Sequence, residues 1–137
     1  DWSGTRDPSP WLCIPFSIGY IGSQIEGGWD EIMRNNRNMA LYGRGLLCDA
    51  LDIIPPTPDC MVSSMSSIEL PWTGDVHPPS PDGDPLHNLL FDEYRIQVPI
   101  ISWPIHNAKY IRISAHIYNS KEEFEYLSET LKSVLRR

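Results

Sequence analysis

The chain has 137 residues, of which 41% are hydrophobic and 10% aromatic, enough apolar material for one domain with a packed core and too much for a disordered chain. Its 11 Lys and Arg against 18 Asp and Glu give a formal charge of -7, which argues against a generic phosphate-backbone binder, since that affinity comes from clustered cations. No apolar run approaches the roughly 18 residues of a membrane-spanning helix, and no basic stretch followed by an apolar one opens the sequence.

Asp1 stands where a methionine would, and leads straight into Trp2-Ser3-Gly4-Thr5, so a piece of a longer chain is expected. Ser9 as a cap and Pro10 in the first turn predict a helix, with Trp11, Ile14, Ile18, Ile21 and Ile25 on one stripe and a kink at Pro15. Gly27-Gly28 ends it. A second helix is predicted from Trp29 to about Leu51, with Trp29, Ile32, Met33, Ala40, Leu47 and Ala50 inward and Asp30, Arg34, Asn35 and Arg37 outward. Gly43 and Gly45 lower its propensity and suit close packing.

Pro55-Pro56-Thr57-Pro58 stops that helix, and Met61 to Leu70 is a strand candidate. The Pro-, Gly- and Asp-rich stretch from Trp72 to Gly83 is a loop. Asp84 and Pro85 open a short helix carrying Leu86, Leu89, Leu90 and Tyr94. A strand is predicted over Ile96 to Trp103, at an edge or bulged because of Pro99. The clearest strand is Tyr110 to Tyr118, whose Ile111, Ile113, Ala115 and Ile117 alternate with a polar face of Arg112, Ser114 and His116. A capping box at Ser120–Glu123 starts a last helix with Phe124, Leu127, Leu131 and Val134 inward. The pattern predicts an α+β fold, a small, mostly antiparallel sheet covered by helices, with a helical segment over 1–51 and a sheet-and-helix segment over 61–137.

Chemistry is sparse in the pattern itself. Gly4-Thr5 can offer amides and a hydroxyl to an anion, although such a turn is commonly only a turn. Arg112 can hold a carboxylate with its fork, or simply be a solvated side chain. His77, His87, His106 and His116 lack any metal-ligand spacing, and Cys13, Cys48 and Cys60 lack a C-x-x-C pair, so no metal site and no disulfide framework is expected, only reduced thiols in a cytoplasmic protein. Periodicity and spacing end at an α+β domain.

Three segments taken together add a resemblance. Trp2-Ser3-Gly4-Thr5-Arg6-Asp7-Pro8-Ser9, the run Leu86 to Pro99, and Arg112-Ile113-Ser114-Ala115-His116-Ile117-Tyr118-Asn119 resemble, in order and spacing, the last third of isopenicillin-N-epimerase-like proteins of the class V aminotransferases. The resemblance implies the C-terminal small domain of a fold type I enzyme that uses pyridoxal 5'-phosphate and acts on an amino acid by epimerase, lyase or transaminase chemistry. It implies that Gly4 and Thr5 contact the cofactor phosphate and that Arg112 binds the substrate carboxylate, with His116 beside the substrate. It also implies a large domain in the same polypeptide and a homodimer. Ser3 stands where Thr is common in that family and His116 where Gln is common. Lys109, Lys121 and Lys132 do not lie in the family's Schiff-base motif, so the chain is expected to be inactive alone. Cysteine desulfurases of the same fold carry a catalytic Cys on a loop that corresponds to Trp72–Gly83, which has none. The alternative is a non-catalytic domain that pairs with a large-domain partner.

Overall fold

A computed structural model describes Gly4 and residues 7–72, 83–103 and 108–135. The first predicted helix is split into α1 (Ser9–Leu12) and α2 (Ile14–Gly22), because Pro15 has no amide with which to carry the turn through Cys13. Ser9 is the first helical residue and not the cap: Asp7 Oδ1 accepts from its amide at 3.0 Å and its hydroxyl at 2.6 Å. No residue of either helix is buried, and Trp11 and Phe16 are 74% and 75% exposed. The apolar stripe is real, but it faces away from the described core.

Gly27 and Gly28, at φ 89° and 62°, occupy the left-handed region and turn the chain into α3 (Gly28–Leu51). Ile32, Ala40 and Leu47 are buried as the periodicity requires. Trp29 and Met33, expected inward, are 38% and 57% exposed. The indole of Trp29 serves the α2–α3 corner instead, donating from Nε1 to the Ile18 carbonyl at 3.0 Å across Gly22, where a Cβ would lie 2.8 Å from that nitrogen. Met33 falls beside a buried stripe whose middle is polar, since Asn36 and Arg44 share it. Arg44 donates to the Thr57 carbonyl at 2.9 Å and pairs with Asp59. Arg37, expected outward, is half-buried and donates to the carbonyls of Val62 (3.1 Å) and Asp59 (2.8 Å). Two arginines of α3 thus hold the Pro-rich connector and the 3-10 turn Asp59–Met61.

The sheet is smaller than expected. β1 is Met65–Leu70, β2 is Ile100–Ser102 and β3 is Lys109–Ser114, in the order β1-β3-β2, with both pairings antiparallel. β3 stops before Tyr118 because residues 116–119 close on themselves: Asn119 Oδ1 accepts the His116 amide at 2.9 Å, and the His116 carbonyl accepts from Asn119 N–H at 3.0 Å. β2 begins only after Pro99, which has no N–H to give to the ladder, and it is an edge strand. Ile111, Ile113 and Ala115 point into the core, as the alternation dictates.

Between the strands, α4 (Pro85–Tyr94) is capped by Asp84, whose Oδ1 accepts the Leu86 amide at 2.8 Å. The last helix, α5 (Lys121–Leu135), buries Phe124, Leu127 and Leu131. Its close approach to α3 depends on Gly43, where a Cβ would come within 2.4 Å of the Phe124 ring. Gly45, credited with the same role, has nothing within 4 Å. The architecture is α+β, one face of a small antiparallel sheet packed with Leu47, Leu86, Leu90 and Leu131 from the helices.

Candidate functional site

The missing ladder at Pro99 makes the site. The Arg112 amide donates to the Pro99 carbonyl at 3.1 Å, and beyond that bond β3 loses its β2 neighbour. A cleft of about 320 Å³ opens there between the end of β3, the segment 95–99 and the first turns of α5. Its polar lining is Arg95, Gln97, Arg112, Ser114, Asn119 and Glu123. Two side chains hold its walls. His87 Nδ1 lies 2.7 Å from the Val98 carbonyl, and since a carbonyl only accepts, Nδ1 carries the proton. The Tyr126 hydroxyl donates to the Tyr94 carbonyl at 3.2 Å, tying α5 to the end of α4.

Arg112 lies on the exposed sheet face, opposite Ser67 of β1 and next to Ser114, as the alternation predicted. Among the described residues its guanidinium has no ion pair and no hydrogen bond, so its fork is available to a ligand. Arg95 shares the cleft and was not singled out from the sequence. It ends α4 in the left-handed conformation, φ 59°, while Ile96 N–H reaches back to the Leu90 carbonyl at 2.9 Å. Holding a non-glycine residue there costs on the order of 1 kcal/mol. The signal in the sequence was an Arg directly after a helix, where Gly is usual. Glu123 Oε2 accepts from Asn119 Nδ2 at 2.9 Å and from the Ser120 amide at 3.2 Å, the glutamate half of the capping box expected at this helix start.

His116 does not join Arg112. With β3 ended at Ser114, His116 lines a second cavity, about 450 Å³, together with Asn35, Asn36, Asn38, Met39, Tyr42 and Lys121 among others. It stacks on Tyr118 with ring centres 4.9 Å apart, and its Nδ1 is buried without a hydrogen-bond partner among the described residues. Asn119 lines both cavities and stands between them.

Gly4 lies in an exposed turn, which leaves its backbone open to an anion, whereas Thr5 lies outside the described residues, as do His77, His106 and most of the Trp72–Gly83 loop. Lys109 is wholly buried: its Nζ sits 2.8 Å from Asp84 Oδ2 and 4.1 Å from the centre of the Trp72 ring, a position closed to a carbonyl substrate. Lys121 and Lys132 are exposed on α5, Lys121 over the Tyr42 ring. Cys13 and Cys60 are exposed free thiols, and burial pushes the Cys48 thiol above its ordinary 9.0. Among the described residues no three His, Cys, Asp or Glu side chains come together to hold a metal, and no helix is long and apolar enough to cross a membrane.

No family model matches the chain. Individual relatives do. Over 133 residues, 96% of this chain, it is 32% identical to isopenicillin N epimerase of Amycolatopsis lactamdurans and covers 30% of that protein. It is 31% identical over 133 residues, 96% of this chain and 30% of the relative, to isopenicillin N epimerase of Streptomyces clavuligerus. It is 28% identical over 141 aligned positions, 98% of this chain and 29% of the relative, to a probable chloroplastic L-cysteine desulfhydrase of Arabidopsis thaliana. The chain thus spans about 30% of the length of the curated relatives it matches. Along almost its whole length it is a relative of isopenicillin N epimerase and L-cysteine desulfhydrase, the isopenicillin-N-epimerase-like, class V aminotransferase group to which its three motifs pointed.

Proposed function

We propose that this chain is the C-terminal small domain of a pyridoxal-phosphate enzyme acting on an amino acid, and that Arg112 binds the substrate's α-carboxylate. The observation that carries the reading is Arg112, its fork unpaired among the described residues, in the lining of a cleft built from the segments that resemble the family. A bidentate guanidinium–carboxylate pair fixes both distance and plane, so it orients the bond to be broken at Cα. When bound, the cofactor supplies an electron sink for that bond. Gly4 and Thr5 would hold its phosphate through backbone amides and a hydroxyl. The lysine that anchors the cofactor belongs to the large domain of the same polypeptide, because Lys109 is sealed in its ion pair. Epimerisation and lyase chemistry are both carried by relatives' names, and transamination belongs to the same class. The working assembly is a cytoplasmic homodimer. His116, lining the other cavity, takes no part in the carboxylate contact.

A second reading, a non-catalytic domain that pairs with a separate large-domain partner, draws on the exposed apolar face of α1 and α2. The two readings part on the full polypeptide: adding pyridoxal phosphate produces the absorption of a lysine-bound cofactor in the first and none in the second. For Arg112, we expect Arg112→Ala to raise the amino-acid KM at least about tenfold while cofactor absorption persists, the loss of one charged hydrogen-bonding pair. Thr5→Val should weaken cofactor retention and leave KM little changed. Unaltered amino-acid affinity in Arg112→Ala would end the carboxylate assignment.

A further inference from the structure

We propose that the Arg112 cleft takes a ligand with two carboxylates, Arg112 holding one and Arg95 the other. This rests on the reading of Arg112 as a carboxylate site and adds the class of substrate: an amino acid with an acidic side chain. Both arginines line one concavity, and among the described residues neither guanidinium has an ion pair or a hydrogen bond. In a chain with 18 acidic and 11 basic residues, carboxylates are plentiful, so two arginines that line one cleft with no carboxylate partner among the described residues concentrate positive charge there. Glu123, the acidic residue of the lining, forms an ion pair with neither, and its Oε2 accepts instead from Asn119 and the start of α5. An anion with two acid groups gives each fork a carboxylate.

The backbone of Arg95 gives the second, independent reason. A helix end at φ 59° is a place for glycine, and Arg brings no local advantage to the turn. Asp52, the other non-glycine residue at positive φ among the described ones, is of a type that tolerates that region far better. What Arg95 adds at its strained position is a cation delivered to the cleft from a pinned support. Tyr94 on one side is held by Tyr126, and Val98 on the other by His87. Gln97 and Ser114 supply neutral hydrogen-bonding groups to the same space, and about 320 Å³ suits a small molecule of this kind.

The test uses the full polypeptide that carries this chain and two probes with equal carbon count, glutarate and pentanoate, titrated by calorimetry. Glutarate should bind at least about tenfold tighter. Arg95→Gly, which suits the backbone and so keeps the fold, should reduce that preference to about threefold or less without changing pentanoate affinity, and Arg95→Lys should retain part of it. A melting temperature no lower than that of the parent certifies the glycine variant. Arg112→Ala should weaken both probes. A preference that survives Arg95→Gly, or no preference in the parent, overturns the proposal while leaving Arg112 in place. Pentanoate affinity unchanged in Arg112→Ala overturns the carboxylate reading, and this proposal with it.

Discussion

Lys109 is the residue whose environment departs furthest from its type. A wholly buried ammonium is tolerable only because Asp84 faces it and the Trp72 ring lies under it. Asp84 in turn caps α4, so one carboxylate serves a charge and a helix end at once. Lys109→Ala should destabilise the fold by about 3 kcal/mol or more, since it strands a largely buried carboxylate. Asp84→Asn keeps an acceptor for the cap but strands the lysine, and should cost a comparable amount; denaturant unfolding of both variants checks this. The same chemistry explains what the sequence withheld. A polar residue enters a core only when a partner arrives from elsewhere in the chain, as Asp84 does for Lys109 and Asp59 for Arg44, and neither partner lies within a helical turn of its cation. Ile111, Ile113 and Phe124 need no partner, and their burial was legible from alternation and stripe alone.

Elements were legible in kind and less so in extent. The caps at Asp84 and Ser120–Glu123 and the break at Pro15 are local, and sequence showed them. The ends of β2 and β3 are set by Pro99 and by the Asn119 side chain, which act on hydrogen bonding between strands and turns, out of reach of a periodicity. The α3–α5 pair carries two predictions. Gly43→Ala forces a methyl into the Phe124 ring and should cost about 1–3 kcal/mol, whereas Gly45→Ala, with open space and better helix propensity, should be neutral or stabilising by up to about 1 kcal/mol. The Tyr42 hydroxyl, donating to Glu125 at 2.5 Å, has its pKa raised above the ordinary 10.0, first by that hydrogen bond. Because the folded state keeps this proton longer than the unfolded one, the bond's contribution is present below pH 10.0 and is lost as pH rises through the folded value. Melting curves of Tyr42→Phe should therefore fall less steeply on the alkaline side than those of the parent.

At the scale of the whole molecule, the thiols report on the fold. Cys13 and Cys60 should react with iodoacetamide in the native chain, while Cys48, buried and with its thiol pKa pushed up by burial, should react only on unfolding. Rapid labelling of all three in native buffer would contradict the packing of α3 against the sheet. The charge of -7 and the two arginines of the cleft, unpaired among the described residues, put opposite signs on one chain, so the proposed anion site would stand against the charge of the whole. The His87–Val98 bond bears on how that place responds to its surroundings. An imidazole that donates through Nδ1 does so whether its other nitrogen is protonated or bare, so the wall it anchors keeps its shape in either state. Arginine, too, stays charged throughout. The tie between α4 and the segment at Val98 is thus one that a second proton on the ring leaves intact.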